Sequence, residues 1–322
     1  MPRRMKAWSC PTTRGNNRGW PISDSQPLGR YIPRAVGFLG GLLIFLNAVP
    51  AYAEQELLQS DAHSERPNAE IVLAPPEGSL RVGERLGFHG RWFGIPVGRG
   101  WIEVKELTEI NGRPAYHIEA QGHSNEFLST FYPIQDSLHS YLDATTFQPL
   151  RFEKSQREGR YRAEEVVEFD YGRLLATYHS RLNHSTKEIP IPEDVHDLIS
   201  AFYYLRTRPL DPTQPIYLDI YSDEKVYRTE VAPLNTVMLE LLWRGTFPCI
   251  VFEPKATFKG VMVRRGRVWV YLSAEASRIP LLVKVSTPWG PMTGVIDSDS
   301  LSLQETRASH TGANATRGAT GS

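Results

Sequence analysis

Ser222 and Lys225 stand three residues apart, the spacing at which a lysine can activate a serine nucleophile. That chemistry needs a helix start and a companion Lys-Thr-Gly, and the sequence offers neither. Ser222-Asp223 between two alternating runs reads instead as turn chemistry. His117, Glu119 and His123 fall on one face of an alternating segment. Strand positions six apart are about 20 Å apart, too far for one metal ion, so the three read as a solvated polar face. His179 and His184 are five apart across a strand and a loop, again poor spacing for ligation. His196-Asp197 resembles an orienting pair, but Asp197 also suits the first turn of a helix, and that reading is preferred. Glu164/Glu165 and Asp297/Asp299 are ordinary carboxylate neighbours and carry no acid–base claim. Glu84 interrupts an apolar strand face; buried it would need a partner, and a wet position at a sheet end is preferred. Cys249 precedes Ile250-Val251-Phe252 and has no His or basic neighbour to activate it, so it reads as a small buried strand residue. There is no Gly-x-Ser-x-Gly elbow, no Gly-rich loop opening a helix and no His-Glu-x-x-His. No catalytic residue, no metal ligand and no cofactor is assigned.

The elements that would position such residues are mostly strands. Leu80, Val82, Leu86, Phe88 and Trp92 alternate with Arg81, Arg85, His89 and Arg91. Gly94-Ile95-Pro96-Val97-Gly98 turns the chain, and Asn111-Gly112 is a strong hairpin signal. Tyr116, Ile118 and Ala120 continue the alternation. Further strands are expected near 134–142, 148–157, 161–170, 174–182, 215–221, 226–232, 237–244, 249–256, 267–273, 280–286 and 293–304. Short antiparallel strands at this spacing predict a barrel or sandwich. One helix interrupts them over 193–208. Val195, Leu198, Ile199, Phe202 and Leu205 form its apolar stripe, Glu193, Asp194 and Asp197 complement the dipole at its start, and Arg206 and Arg208 at its end. Pro209 terminates it. The fold class expected is mainly β: an antiparallel open or incomplete β-barrel with one amphipathic helix packed on it.

The chain has 322 residues, 36 basic and 36 acidic. The first 53 residues hold seven of the basic residues and one acid, so the remainder carries 29 against 35 and a net charge of −6. Such a body has no general attraction for nucleic acid. Residues 35–49 are uncharged and mostly apolar, follow Arg30 and Arg34, and lead to Ala51-Tyr52-Ala53. This is the pattern of a secretory signal peptide, and the run is shorter than the ~20 residues that span a bilayer. Residues 1–53 are therefore expected to be a signal peptide, 54–76 a mobile leader, 77–304 a single antiparallel β domain and 305–322 a disordered tail. After cleavage Cys249 is the one cysteine left, so no internal disulfide is available.

Aromatics are abundant, with seven Trp, 14 Tyr and 13 Phe, and Trp92, Trp101, Trp243, Trp269 and Trp289 fall in or beside strands. Trp269-Val270-Tyr271-Leu272 is bulky on both faces. Most such residues belong to a core; Trp92, Phe202, Trp269 and Tyr271 are the candidates to line a groove for an apolar ligand.

The segment Asp197-Leu-Ile-Ser-Ala-Phe-Tyr-Tyr-Leu-Arg206 resembles the helix motif of an uncharacterised bacterial exported family, domain of unknown function 3108. Gly94-x-x-x-Gly98, the Tyr-Pro-Ile-Gln-Asp-Ser ending at Ser137, Phe169-Asp170, Phe247-Pro248-Cys249 and Arg278-Ile279-Pro280 are similar to it as well. The likeness covers roughly residues 78–303. Where that family usually carries an acidic Ser-Asp-Asp stretch, this chain has Ser273-Ala-Glu-Ala-Ser277. The resemblance implies a periplasmic or outer-membrane-associated β protein and transfers no catalytic residue. The expected function is non-enzymatic binding of an apolar or lipid-like ligand, or of an envelope protein partner. The alternatives are a hydrolase acting on an envelope polymer, and a purely structural assembly factor.

Overall fold

The computed structural model describes residues 80–300, apart from 208–210, 212, 260, 263–265, 276, 288 and 289. The expected signal peptide, leader and tail, Arg208, Pro209, Trp289 and the end of the last expected strand lie outside the described residues. The first arm of the fold is β1 (Arg85–Trp92), β2 (Ile95–Ile110), β3 (Arg113–Ser124), the short helix α1 (Glu126–Ser129), β4 (Ile134–Asp143), β5 (Pro149–Glu158), β6 (Tyr161–Asp170), β7 (Leu175–Ser180) and β8 (Thr186–Pro190). Then come β9 (Val195–His196), the helix α2 (Leu198–Thr207), β10 (Ile216–Ser222), β11 (Lys225–Leu241), β12 (Gly245–Phe258), β13 (Val261–Met262), β14 (Arg267–Ser273), β15 (Pro280–Thr287) and β16 (Gly290–Ile296).

Period-two alternation makes these segments strands, and turns of two to five residues join most of them as hairpins. Asn111 and Gly112, at φ 51° and 79°, adopt the positive-φ pair that a tight hairpin demands. The result is one sheet in the order β8-β7-β6-β5-β4-β3-β2-β1-β16-β15-β14-β12-β11-β10-β9, with β13 on β12. Every ladder is antiparallel except β9 on β10. Two meanders therefore run outward from a central junction, where β1 pairs with β16 from Phe88↔Ile296 to Trp92↔Met292. The fold class is as expected: mainly β, one large antiparallel sheet that is not closed.

No ladder joins the edge strands β8 and β9, but side chains reach across from one arm to the other. Lys154 Nζ lies 2.6 Å from Asp223 Oδ1 and 2.8 Å from Glu165 Oε2, and Lys187 pairs with Glu224. The Tyr171 hydroxyl donates to the Val195 carbonyl at 3.3 Å, and the Phe169 and Tyr221 rings meet edge to face at 5.6 Å. Burial of Lys154 opposes its charge, yet Asp223 and Glu165 outweigh it and raise its pKa. The main core lies on the concave side, where Leu86, Ile118, Leu138, Leu142 and Ile199 are fully buried together, each side chain contributing about 1.5–3 kcal/mol.

Several local expectations give way to tertiary structure. The expected helix over 193–208 begins at Leu198, because Val195 and His196 extend to pair in parallel with Asp219 and Ile220. The two strands expected at 226–232 and 237–244 are the single β11, with a bulge at Pro233/Asn235 that absorbs the proline. Neither α1 nor β8 was signalled by periodicity, both being too short. Val82 is exposed and Glu84 buried, the reverse of the expected face. A turn with Gly83 at φ 84°, closed by Glu84 N–H to the Arg81 carbonyl at 3.0 Å, resets the alternation. Cys249 is buried in β12 as expected, and burial pushes its thiol up to about 12.

Candidate functional site

The concave face beneath α2 is built in two parts, a polar frame that fixes the helix and an apolar space it covers. Asp197 is the residue before the helix and accepts from the Ile199 and Ser200 amides, both at 2.8 Å, as an N-cap does. Its other oxygen accepts from the Ser140 hydroxyl on β4 at 2.5 Å. It is 1% exposed, and burial pushes its carboxyl up to about 6 against those hydrogen bonds. The sequence reading of Asp197 as an ordinary first-turn acid is therefore corrected: it ties the helix to the sheet.

At the other end, Arg206 places two guanidinium nitrogens 2.8 Å from the two Glu84 oxygens. Glu84 is 5% exposed and Arg206 3%. Burial opposes the arginine's charge, but the adjacent carboxylate more than restores it and raises its pKa. The wet position preferred for Glu84 is overturned, because its partner lies 122 positions away in sequence. Arg278, fully buried, directs Nη1 to the Leu205 and Arg206 carbonyls at 3.4 Å, meeting the negative end of the helix. Arg206 also donates to the Ser277 carbonyl at 3.2 Å. The loop between β14 and β15 thus closes the helix C-terminus.

Between these anchors α2 presents two faces. Ile199 and Tyr203 are completely buried in the main core. Leu198, Ala201, Phe202 and Leu205 line a cavity of about 190 Å³. Its opposite wall is Val231, Phe252, Val268, Val270 and Leu272, and the Thr229 hydroxyl, which donates to the Tyr227 carbonyl at 3.3 Å, adds the one side-chain polar group among its lining.

Of the four groove candidates, the structure brings only Phe202 to this cavity. Trp92 keeps the phase of Phe88, since the extra residue of the bulge beside it is Val97 on β2, but it sits at the end of β1, 37% exposed, and the cavity lining reaches only Phe88 on that strand. Trp269 and Tyr271 alternate with the lining residues Val268, Val270 and Leu272 and so project from the opposite face of β14. Apart from Phe88 and Phe252, the wall residues missed from sequence are mostly small aliphatics. Their only signal is alternation, which does not say which face becomes concave.

The His117, Glu119 and His123 face of β3, expected from sequence to be only solvated, adjoins side chains of β4 that carry no signal in the sequence reading. Together they hold an ordered chain: Ser137 Oγ to His139 Nε2 at 3.0 Å, His139 Nδ1 to His117 Nε2 at 3.0 Å, and His117 Nδ1 to Glu106 at 3.5 Å. The two hydrogen bonds are made if His139 carries its proton on Nδ1 and His117 leaves Nε2 free to accept, Glu106 standing off at ion-pair distance, and burial keeps His139 below its usual value. Such a relay could draw a proton from Ser137. However, β4 is laddered on both sides along this stretch, which commits its backbone amides and leaves none to stabilise an oxyanion. Ser137 lines neither this cavity nor the polar recess beside α1. Among the described residues no group of three or more His, Cys, Asp or Glu is placed to hold a metal ion.

No curated protein matches the chain significantly. Among solved structures, it is similar to a beta-barrel-like protein of domain of unknown function DUF1849 from Brucella abortus, with 10% identity, 67% of this chain and 96% of that chain covered, and a TM-score of 0.47. A candidate lipoprotein from Parabacteroides distasonis matches at 8% identity, 70% and 96% coverage and TM-score 0.27. A candidate exported protein of YmcC-like fold from Bacteroides fragilis matches at 10% identity, 70% and 97% coverage and TM-score 0.25. The family model of the protein of unknown function DUF3108 matches residues 88–297, from within the first strand to the end of the last, and includes Ser140, Asp197, Arg206 and Arg278 of the frame of α2, with Glu84 just before it. The chain belongs to the DUF3108 family.

Proposed function

We propose that this is an exported, non-enzymatic cell-envelope protein whose cavity beneath α2 takes the hydrocarbon part of an apolar or amphiphilic ligand. The observation that carries the reading is the cavity itself, walled by aliphatic and aromatic side chains on every element that reaches it. An apolar cavity of about 150 Å³ stays dry and accepts benzene. On that scale 190 Å³ has room for about seven or eight carbons. At about 0.8 kcal/mol per methylene they contribute roughly 6 kcal/mol before ordering costs. Micromolar affinity corresponds to about 8 kcal/mol, so a micromolar ligand must also rest on surface outside the cavity. The Ser137 relay is the one feature favouring a hydrolase, and the lack of free amide donors beside it weighs against that alternative.

Ala201 is 4% exposed and lines the cavity. Ala201→Leu is expected to abolish displacement of a fluorescent fatty acid and to leave the thermal midpoint unchanged or higher, since the added carbons fill empty space. Displacement retained by this variant, or absent from the wild type up to high micromolar probe, sinks the binding reading.

Export is the second part of the proposal, a periplasmic or outer-membrane-associated location being its endpoint. It rests on the basic flank, the apolar run 35–49 and Ala51-Tyr52-Ala53. Protein recovered from the envelope fraction should begin at Glu54 on N-terminal sequencing. A chain that still contains residues 35–49 would mean that this run is an anchor.

A further inference from the structure

The ladders place the turns at 93–94, 125–133 and 159–160 at one end of the sheet. Trp92 pairs with Ile95, Gly98 with Ser124, His123 with Gln135, and Glu158 with both Ile134 and Tyr161. The contacts of α2 on this arm, with Glu84 beside Val104 and with Ser140 opposite Ile118, lie about six residues further along the strands, or about 20 Å away. The cavity runs from α2 toward this end, since its lining reaches Gly266, next to the Arg267↔Ser286 pair. The adjoining β15–β16 hairpin supports the tip of β1, with Phe93 N–H donating to the Pro291 carbonyl at 3.1 Å.

That end carries an uncovered apolar group. Trp92, Phe93, Ile95, Phe127 and Phe131 are 37, 60, 52, 57 and 73% exposed. They are held in place rather than splayed. The Asn125 side chain caps α1 through Leu128 N–H at 2.9 Å and donates to the Pro96 carbonyl at 2.8 Å, pinning α1 against β2. Phe127 and Phe131 meet edge to face at 5.8 Å, and Trp92 and Phe93 lie 5.6 Å apart. Beside them opens a polar recess of about 540 Å³, lined by Gln121, His123, Gln135, Arg157 and Arg162 and also by the buried carboxyl of Asp136; Arg157 lies 3.5 Å from Glu164 as well. Arg91, Arg99 and Arg160 are exposed nearby, against the exposed Glu126 on α1. The body beyond residue 53 carries a net −6, so an anionic surface repels most of the molecule and can be met through this basic end.

We infer that this end of the sheet docks on the surface of an anionic phospholipid bilayer, its five apolar side chains entering the headgroup layer and the arginine-lined recess taking a lipid phosphate. Aromatic rings favour the headgroup level, and arginines are drawn to anionic lipid within a Debye length. The inference deepens the reading of the cavity, because the docked bilayer would supply the ligand at the end the cavity faces.

Sedimentation with phosphatidylcholine vesicles, with and without phosphatidylglycerol, tests it. The full chain recovered after export is compared with variants in the same form, so that any contribution of residues outside the fold is common to all. The wild type should bind the anionic vesicles more strongly. The double variant Phe127→Ser, Phe131→Ser should lose about tenfold or more in binding to both, with an unchanged thermal midpoint because both side chains are exposed. Arg91→Gln with Arg99→Gln should lose about fivefold per arginine on anionic vesicles only. No wild-type sedimentation, equal binding to both compositions, or a phenylalanine variant that sediments like the wild type overturns the inference. Phe127 and Phe131 do not line the cavity, so displacement of the soluble fatty-acid probe should survive in that variant. Loss of probe binding in Ala201→Leu with vesicle binding intact separates the two sites.

Discussion

Arg206→Ala is expected to lower the free energy of unfolding by about 3–5 kcal/mol, because it leaves Glu84 buried without its counter-charge. Glu84→Ala should cost a similar amount for the converse reason. The two losses should not add. With both partners gone no orphan charge remains, and a double variant with Arg206→Met and Glu84→Leu should recover most of the loss or exceed the wild type. Chemical denaturation of the three variants measures the cycle. Single losses below about 1 kcal/mol, the range of an exposed ion pair, would mean that water reaches the guanidinium. The pair is a geometric device as much as an energetic one. It fixes where the last turn of α2 sits over β1, and so fixes how far Leu205 stands from Val268 across the cavity.

Asp197→Ala is expected to cost about 2–4 kcal/mol, as the loss of an N-cap combined with that of a buried acceptor for Ser140. The same residue sets a pH dependence. Its folded pKa is about 6, against an ordinary value of 3.8. Below about 4 it is protonated in both states, and above about 6 ionised in both. Between them the folded chain holds a proton that the unfolded chain has released, so this group's contribution is full at the acid end and is lost as pH rises through 6. The wild type should therefore lose stability between pH 4 and 6 relative to Asp197→Asn, which keeps an acceptor at the cap and cannot titrate. Parallel stability–pH curves for the two proteins would show that Asp197 is ionised throughout.

The sequence shows strand and turn positions well, because alternation and Asn-Gly or Ser-Asp turns are local causes with local effects. It shows the site poorly for a reason visible in particular residues. Glu84 stands out as an intruder in an apolar run, but nothing near it announces Arg206. Asp197 has the position of a dipole acid, and only the packing of β4 against α2 makes it a buried cap. The groove candidates were aromatic because large rings dominate buried area. The cavity instead belongs to Val268, Val270 and Leu272, one position out of phase with Trp269 and Tyr271. A one-residue offset exchanges the faces of a strand, and the choice of face is made by closure of the whole sheet.

The junction of β1 with β16 also orders events in time. Nearly every other ladder joins neighbours in the chain and can form as soon as its hairpin is made. This one joins Phe88 to Ile296 and must wait for both ends, at a loop-closure cost that grows as the logarithm of the intervening length. A chain crossing a membrane N-terminus first cannot zip its centre until residue 296 has emerged. Until then the two meanders can exist only as separate arms, and the frame around α2, which draws Glu84 from one arm and Arg278 from the other, cannot assemble. On the export proposed above, late zipping of this kind would keep the polypeptide threadable through a translocation pore and make the last strand the trigger for folding on the far side.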